Sequence, residues 1–207
     1  MQTSTTPTRI PSGSAAERLL DAAVAVFSRE GISSATTREI AREAGVNEVT
    51  LFRNFQTKQG LLSAVLERAF LPGEEIAELP NGSIEGAVRN FAAEDFARKR
   101  RNIALMRVLV GESHRLGEHE KEILSRIFQP WKERLANRLR EARDRGLIRE
   151  EVDPMIVVDQ LVAMTFVGAL RADKMGFTDY TPDHYLDACV DLILNGILVK
   201  RPKRSRK

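Results

Sequence analysis

Apolar residues recur along this chain at intervals of three and four positions, which is the repeat of an α-helix with one buried face. In the first such segment Leu19, Ala23, Val26 and Phe27 form a single stripe, with Leu20 beside it. No run of alternating β-branched residues bounded by turn residues predicts a strand. The pattern therefore predicts an all-α protein.

Residues that commonly cap helices divide the first part of the chain into short segments. Ser14 and Glu17 have the spacing of a capping box, and Gly31 can adopt the left-handed conformation that ends a helix. A second box begins at Thr36, and Gly45 ends that helix because glycine tolerates a sharp change of backbone direction. These signals predict a long first helix and a short second one.

A third helix is predicted over residues 48–55, with Asn47 as its N-cap. A helix of only two turns is not stable alone, so it must pack against its neighbours. Leu51 and Phe55, four positions apart, supply the face that packs. Thr57 then caps a fourth helix.

The segment 72–83 is the expected joint between two domains, since Pro80, Asn81 and Gly82 favour a turn. Five further helices are predicted after it. These helices are expected near 84–101, 102–116, 119–145, 154–175 and 183–199. The elements divide the chain into a flexible arm (1–13), an N-terminal domain (14–71), a C-terminal domain (72–199) and a basic tail (200–207).

The second and third helices, joined by the turn at 45–47, match the geometry of a helix-turn-helix at about 36–55. In such a motif the second helix lies in the major groove of DNA. With the packing face turned inward, the opposite surface exposes side chains that can meet phosphates and base edges. These side chains are Glu48, Thr50, Arg53 and Asn54.

An ordered set of residues extends over the first four predicted helices. The set is Arg18 to Ala23, Phe27, Gly31, Thr36, Ile40 to Val46, Thr50 to Phe52, Phe55, Lys58, Leu61 and Leu62. It closely resembles the tetracycline-repressor (TetR) family of bacterial regulators. The resemblance covers about residues 14–70, whereas the remaining chain resembles the family only in being helical and of suitable length.

The resemblance implies a repressor that binds a palindromic operator as a homodimer, with residues 47–55 in the major groove of each half-site. Ligand binding in the C-terminal domain would release it. The residues expected to contact DNA are Thr36, Thr37, Arg38, Asn47, Glu48, Val49, Thr50, Phe52, Arg53, Asn54 and Lys58. Among them, Arg53 and Asn54 would read bases, and Lys58 would meet a phosphate beyond the recognition helix.

Some of these positions depart from the family pattern or allow a second interpretation. Phe52 stands where tyrosine is usual, and Glu48 and Val49 stand where small or basic residues are common. Thr36 and Asn47 are helix caps before they are phosphate ligands. Glu48 could accept a hydrogen bond from cytosine, repel a wrongly placed phosphate, or favour the helix N-terminus electrostatically.

The C-terminal domain is rich in aromatic residues and methionines that could line an apolar cavity or simply form a core. The candidates for a ligand pocket are Phe91, Phe96, Met106, Phe128, Trp131, Met164 and Phe166. Such a lining favours a hydrophobic small-molecule effector over a sugar or a nucleotide.

Two late helices carry apolar residues around much of their circumference, which predicts two buried faces on each. In the family that the chain resembles, the last two helices pair across the dimer as a four-helix bundle. The candidates for this interface are Val167, Gly168, Leu170, Val190, Leu194 and Ile197.

Charge and composition change this picture little. The net charge is +3, and residues 200–207 carry six positive side chains, which could add phosphate affinity or simply be solvated. The single cysteine, Cys189, excludes an intrachain disulfide. Residues 1–13 lack a continuous apolar stretch, and the apolar runs elsewhere are interrupted before the roughly 20 residues of a membrane span. A cytoplasmic protein without a membrane partner is therefore expected.

The segment that comes nearest to the composition of an enzyme active site is 112–120, which contains acidic residues and two histidines. His114 and His119 are five positions apart across Gly117, not the four that would place two metal ligands on one helical face. No phosphate-binding glycine loop and no nucleophile motif is present. The sequence therefore predicts no metal, no cofactor and no enzyme. A DNA-binding dimer without a ligand, architectural or constitutive, remains the alternative.

Overall fold

The computed structural model describes residues 13–71, 83–174 and 179–199, and these residues are almost entirely helical. The helices are α1 (Ala15–Glu30), α2 (Thr37–Glu43), α3 (Glu48–Phe55), α4 (Lys58–Phe70), α5 (Ile84–Arg101), α6 (Ile103–Gly111), α7 (Glu118–Asp144), α8 (Pro154–Lys174) and α9 (Pro182–Ile197). A short 3₁₀ turn (Ser113–Arg115) follows α6. The prediction of an all-α fold is confirmed.

The first helix begins at the capping box that the sequence predicts. The Ser14 hydroxyl accepts a hydrogen bond from the Glu17 N–H at 3.2 Å, and the Glu17 carboxylate accepts one from the Ser14 N–H at 2.8 Å. At α2 the Thr36 hydroxyl likewise accepts from the Glu39 N–H. The Glu39 carboxylate, however, lies 3.4 Å from Nη2 of Arg29, so the second box is replaced by a cap and an ion pair.

The described chain divides into two compact units. The first comprises residues 13–68 together with Arg107–Lys121, and the second comprises the other described residues. The sequence-based boundary at 71/72 would assign 107–121 to the second unit. The segment belongs to the first because Glu112 accepts a hydrogen bond from the Ser33 N–H at 3.0 Å.

The first unit has a small apolar core at the crossing of α1, α2 and α3. Leu19, Val26, Phe27, Ile40 and Leu51 are completely buried there. Burying one such side chain contributes about 1.5–3 kcal/mol. This core holds the two-turn α3 in place, as its length requires.

The second unit has a core formed by α5, α7, α8 and α9. Phe91 of α5 stacks on Trp131 of α7, with ring centroids 3.8 Å apart and an interplanar angle of 15°. Val158, Leu161 and Val190 complete the packing from α8 and α9.

Helix α8 corrects the prediction that every apolar run is too short to span a membrane. Residues Pro154–Ala172 have a mean hydropathy of 1.6 over 19 residues, which suffices by length and composition alone. The core helix of a helical domain meets the same criterion. Here Val158 and Leu161 are buried in the core of the second unit.

Candidate nucleic-acid interface

The turn between α2 and α3 is held by its backbone and by one side chain. Gly45 has a φ of +65°, which a residue with a Cβ rarely adopts. The Val46 N–H then donates to the Ala41 carbonyl at 3.0 Å. The Asn47 side chain accepts from the Thr50 N–H at 3.0 Å and begins α3. The relative direction of the two helices is therefore locally determined.

Helix α3 has one buried and one exposed face. Leu51 is completely buried, and Phe55 is half-buried beside it. On the opposite face Val49 is 72% exposed and Phe52 is 44% exposed. Arg53 also lies in solvent. A short, firmly packed helix thus presents an arginine and two apolar side chains to any partner.

Asn54 and Thr50 are neighbours on this exposed side. The Asn54 amide nitrogen donates to the Thr50 carbonyl at 2.7 Å, and the Thr50 hydroxyl lies 3.4 Å from the Asn47 carboxamide oxygen. The first contact orients the Asn54 carboxamide. Its oxygen can still accept a hydrogen bond from a base.

Glu48 has a partner that the sequence does not reveal. The Thr37 hydroxyl donates a hydrogen bond to Oε1 of Glu48, and both residues are half-buried. This contact joins the first turn of α2 to the first turn of α3. Both residues are therefore fastened to each other within the motif, while their neighbours Thr36 and Arg38 are exposed.

Lys58 contacts the loop between α1 and α2, which the sequence did not predict. Its ammonium group donates to the Ser33 carbonyl at 3.2 Å, inside the first unit. Burial lowers its pKa, while the nearby carboxylates of Glu112 and Glu120 oppose that shift. The ammonium group has three N–H donors, so the contact with the α1–α2 loop leaves donors for a phosphate, and the phosphate contact stays a prediction.

The same loop lies against Glu112 at Gly31, where a positive φ favours glycine. A Cβ at Gly31 would lie 2.1 Å from Oε1 of Glu112, and the φ of Gly31 is +89°. Sequence reasoning attributed Gly31 to the helix end alone. The contact with Glu112 was missed because it joins residues far apart in the chain.

The comparisons with known proteins agree with this geometry. Residues 19–65 match the family model described as bacterial regulatory proteins, tetR family. Residues 79–193 match the model described as the tetracyclin repressor-like C-terminal domain. The chain belongs to the TetR family.

Individual relatives of this TetR-family protein match over different lengths. The HTH-type transcriptional regulator AqdR of Rhodococcus erythropolis is 32% identical over 186 residues, covering 87% of this chain and 84% of AqdR. The uncharacterized regulator YvkB of Bacillus subtilis is 41% identical over 68 residues, which covers 33% of this chain and 36% of YvkB. The protein is thus a helix-turn-helix transcriptional regulator and not an enzyme.

Solved structures show the same fold at low sequence identity. A candidate fatty acid metabolism regulator of Clostridium perfringens superimposes with a TM-score of 0.71 at 21% identity. The match covers 88% of this chain and all of that one. It establishes the TetR-family fold for both units.

In the second unit of this TetR-family regulator, the aromatic residues expected to line a pocket also pack with one another. Phe91 and Trp131 form the stacked pair described above. Phe128 lies 5.3 Å from Phe70, centroid to centroid. Phe96 is buried in a small cluster, with Met106 and Phe166 packed against it, and Met164 lines a groove between α8 and α9.

Most of the residues expected at a dimer interface are buried within the protomer. Val190, Leu194 and Ile197 belong to the core of the second unit. Gly168 is buried, and a Cβ there would lie 2.6 Å from the Tyr185 ring. Leu170 packs against the cluster that contains Phe96. Only Val167 of the six is exposed.

The exposed apolar residues of α8 and α9 surround an open groove of about 670 Å³. Leu192 is 65% exposed and Ile156 is 56% exposed on its two sides. Ala163 and Gly196 are exposed between them. Both helices therefore have apolar residues on an exposed face as well as on a buried one, as the sequence predicts. The exposed residues that line the groove differ from those expected at the dimer interface.

The two histidines of the segment 112–120 do not form a metal-binding cluster with other described residues. His114 and His119 are both exposed. No group of three His, Cys, Asp or Glu side chains among the described residues could hold a metal ion.

Proposed function

We propose that this regulator is a cytoplasmic repressor that binds a palindromic operator as a homodimer and is released by a small molecule with a hydrophobic body. The observation that carries the proposal is the exposed face of α3, which the buried Leu51 and the Asn47 cap hold in a defined orientation. Repression, the dimer and the effector go beyond membership of the family.

Base reading is assigned to Arg53, Asn54 and Val49. An exposed guanidinium can bind O6 and N7 of guanine together, and a carboxamide can bind adenine. Val49 supplies an apolar surface for a thymine methyl group. Thr36 and Arg38, exposed at the start of α2, are assigned to phosphates, which position a protein without reading sequence.

The dimer is assigned to the outward faces of α8 and α9, with Leu192, Ile156 and Val167 at its centre. Exposed apolar side chains that surround a groove commonly mark an interface. A homodimer with a twofold axis would match the twofold symmetry of a palindromic operator.

Sensing is assigned to the second unit. Effector and operator must oppose each other equally: if the effector weakens operator binding by a given factor, the operator weakens effector binding by the same factor. Typical couplings are about 5- to 150-fold.

The proposal is tested first by recovering the genomic fragments that the full-length protein retains. We expect a palindromic sequence, located beside the protein's own gene, that binds far more tightly than a scrambled duplex. Equal affinity for the scrambled duplex would contradict sequence-specific repression.

The alternative, a DNA-binding dimer without an effector, draws support from the close stacking of Phe91 on Trp131, which fills space that a ligand would need. Calorimetric titration of effector candidates into free and operator-bound protein separates the two functions. Identical affinity in both states favours the alternative.

A further inference from the structure

The second unit buries an unbalanced set of polar residues. Among its described residues the buried polar or charged side chains are Asp95, Arg98, Lys99 and Thr165, none more than 4% exposed. One is a carboxylate, two are cations and one is a hydroxyl. The buried set therefore carries one positive charge more than it carries negative charges.

Lys99 is fully compensated within this set. Its ammonium group donates to the Asp95 carboxylate, to the Val162 carbonyl at 2.7 Å and to the Thr165 hydroxyl at 2.9 Å. An ammonium group has three N–H donors, so none is left over. Burial lowers the pKa of Lys99, and the Asp95 charge opposes that shift.

Arg98 forms no such ion pair: burial lowers its pKa, and the charges of Asp95 and Glu94 oppose that shift without direct contact. Its Nη1 donates to the Phe70 carbonyl at 3.0 Å, and its guanidinium lies over the Trp131 ring, 4.5 Å from the centroid. Its Nη2 is buried without a hydrogen-bond partner. Among the described residues no carboxylate lies within ion-pair distance of the guanidinium.

A purely structural role explains only part of this geometry. The Phe70 carbonyl ends α4 and needs a donor, which Nη1 supplies, while Asn102 serves the neighbouring Ala69 carbonyl at 2.9 Å. Neither contact uses Nη2. Native proteins rarely leave a buried charged donor unpaired, and such groups often mark a functional site.

We propose that Nη2 of Arg98 anchors the head group of the effector, and that this effector is a carboxylate on an apolar body. The proposal rests on the proposed function, in which the second unit senses a small molecule. A carboxylate would accept a hydrogen bond from Nη2 and bring a negative charge into direct contact with the guanidinium. The Trp131 ring, which lies against the guanidinium, would meet the apolar body.

Trp131 provides the measurement, because it is the only tryptophan in the chain and lies against Arg98. The full-length protein is titrated with two matched series while its tryptophan fluorescence is followed. One series is 4-phenylbutyrate, 4-phenylbutanol and 4-phenylbutylamine, and the other is decanoate, decanol and decylamine. In at least one series we expect the acid to bind at least about 10-fold more tightly than the alcohol, and the amine more weakly still.

Arg98→Gln should abolish the preference for the acid while leaving the affinity for the alcohol within about twofold, because the alcohol makes no charged contact with the guanidinium. Arg101→Gln is the matched control, since Arg101 is exposed one turn further along the same helix. It should retain the preference. A merely structural role of Arg98 would change stability without changing the ratio of the two affinities.

Equal affinity for acid and alcohol, no binding by either series, or a preference that survives in Arg98→Gln would overturn the proposal. If circular dichroism shows that Arg98→Gln does not fold, Arg98→Lys replaces it. That variant should lose at least about threefold of the preference, because an ammonium cannot reproduce the guanidinium geometry, and an unchanged preference would overturn the proposal. Operator binding is measured separately, so that protein which binds its operator but no acid contradicts this inference and not DNA recognition.

Discussion

Helices α3 and α5 both carry charged residues, but the arginine of α3 lies in solvent, whereas α5 buries several charged side chains. On α3, Arg53 is exposed while Leu51 is completely buried. On α5, Asp95, Arg98 and Lys99 are buried. The arginine of α3 is available to an external partner, whereas most of the buried polar groups of α5 have partners within the protein.

The difference follows from the number of neighbours that each helix has. Helix α3 packs on α1 and α2 from one side, which leaves its other side free. Helix α5 contacts α8 and α9, and Phe91 adds a contact with α7. A helix surrounded in this way has little surface left for its charges. Its stability therefore depends on whether each buried charge has a partner.

Removing one partner of the buried ion pair between Asp95 and Lys99 should have the largest effect on stability. Asp95→Ala should lower the free energy of unfolding by about 3–5 kcal/mol, because the Lys99 amine would be left buried without its carboxylate partner. Urea denaturation measures the loss. Arg89→Ala is the control: it breaks a surface pair with Asp191 and should cost less than about 1 kcal/mol. Similar losses of unfolding free energy for both variants would contradict the proposed difference between buried and exposed charges.

The outward face of α9 offers the next largest effect. Leu192→Arg should raise the dimer dissociation constant by about 100-fold or more, since a charge buried in an interface without a partner costs several kcal/mol. Sedimentation measures the assembly. Leu147→Arg changes another exposed leucine of the second unit and should leave the dimer intact. If the Leu192 variant remains a dimer at high dilution, the interface lies elsewhere.

A smaller effect is expected on DNA reading. Arg53→Ala should weaken operator binding by about 1–3 kcal/mol per half-site and hardly change binding to scrambled DNA. Arg38→Ala should weaken both by similar amounts, because a phosphate contact carries no sequence information. Binding titrations with both duplexes measure this. The assignment fails if Arg53→Ala affects the two duplexes equally.

The smallest effect concerns the exposed Val49. Val49→Ala should reduce operator affinity by about 1 kcal/mol or less, the scale of one or two buried methyl groups. Replacing operator thymines with uracil removes the methyl group from the DNA side. The two changes should be non-additive at the contacted base, as a double-mutant cycle would show. If the two losses of affinity were strictly additive at every thymine, the proposed contact between Val49 and a thymine methyl group would be contradicted.

Local signals predicted the elements well. The caps at Ser14 and Asn47 are present, and Pro182 begins α9 as a proline at the first helical turn should. These features depend on residues a few positions apart. The helix-turn-helix at 36–55 rests on the same kind of information, so the order of its residues is sufficient to recognise it.

Side-chain contacts between distant parts of the chain were not predicted from the sequence. Lys58 serves the Ser33 carbonyl, and Val190, Leu194 and Ile197 lie in the protomer core. A helix that is apolar over much of its circumference does not reveal which side meets the core of its own chain. That choice depends on where the neighbouring helices lie.

The sequence by itself determined the helices, their ends, the DNA-reading motif and the family, because these follow from periodicity and from contacts over three or four residues. The tertiary structure decided which charges are buried and what they meet. The bonds from Ser33 to Glu112 and from Thr165 to Asp95 join residues 79 and 70 positions apart. No local pattern encodes such pairs. They arise only when packed helices remove water and leave each polar group to find a partner within the fold.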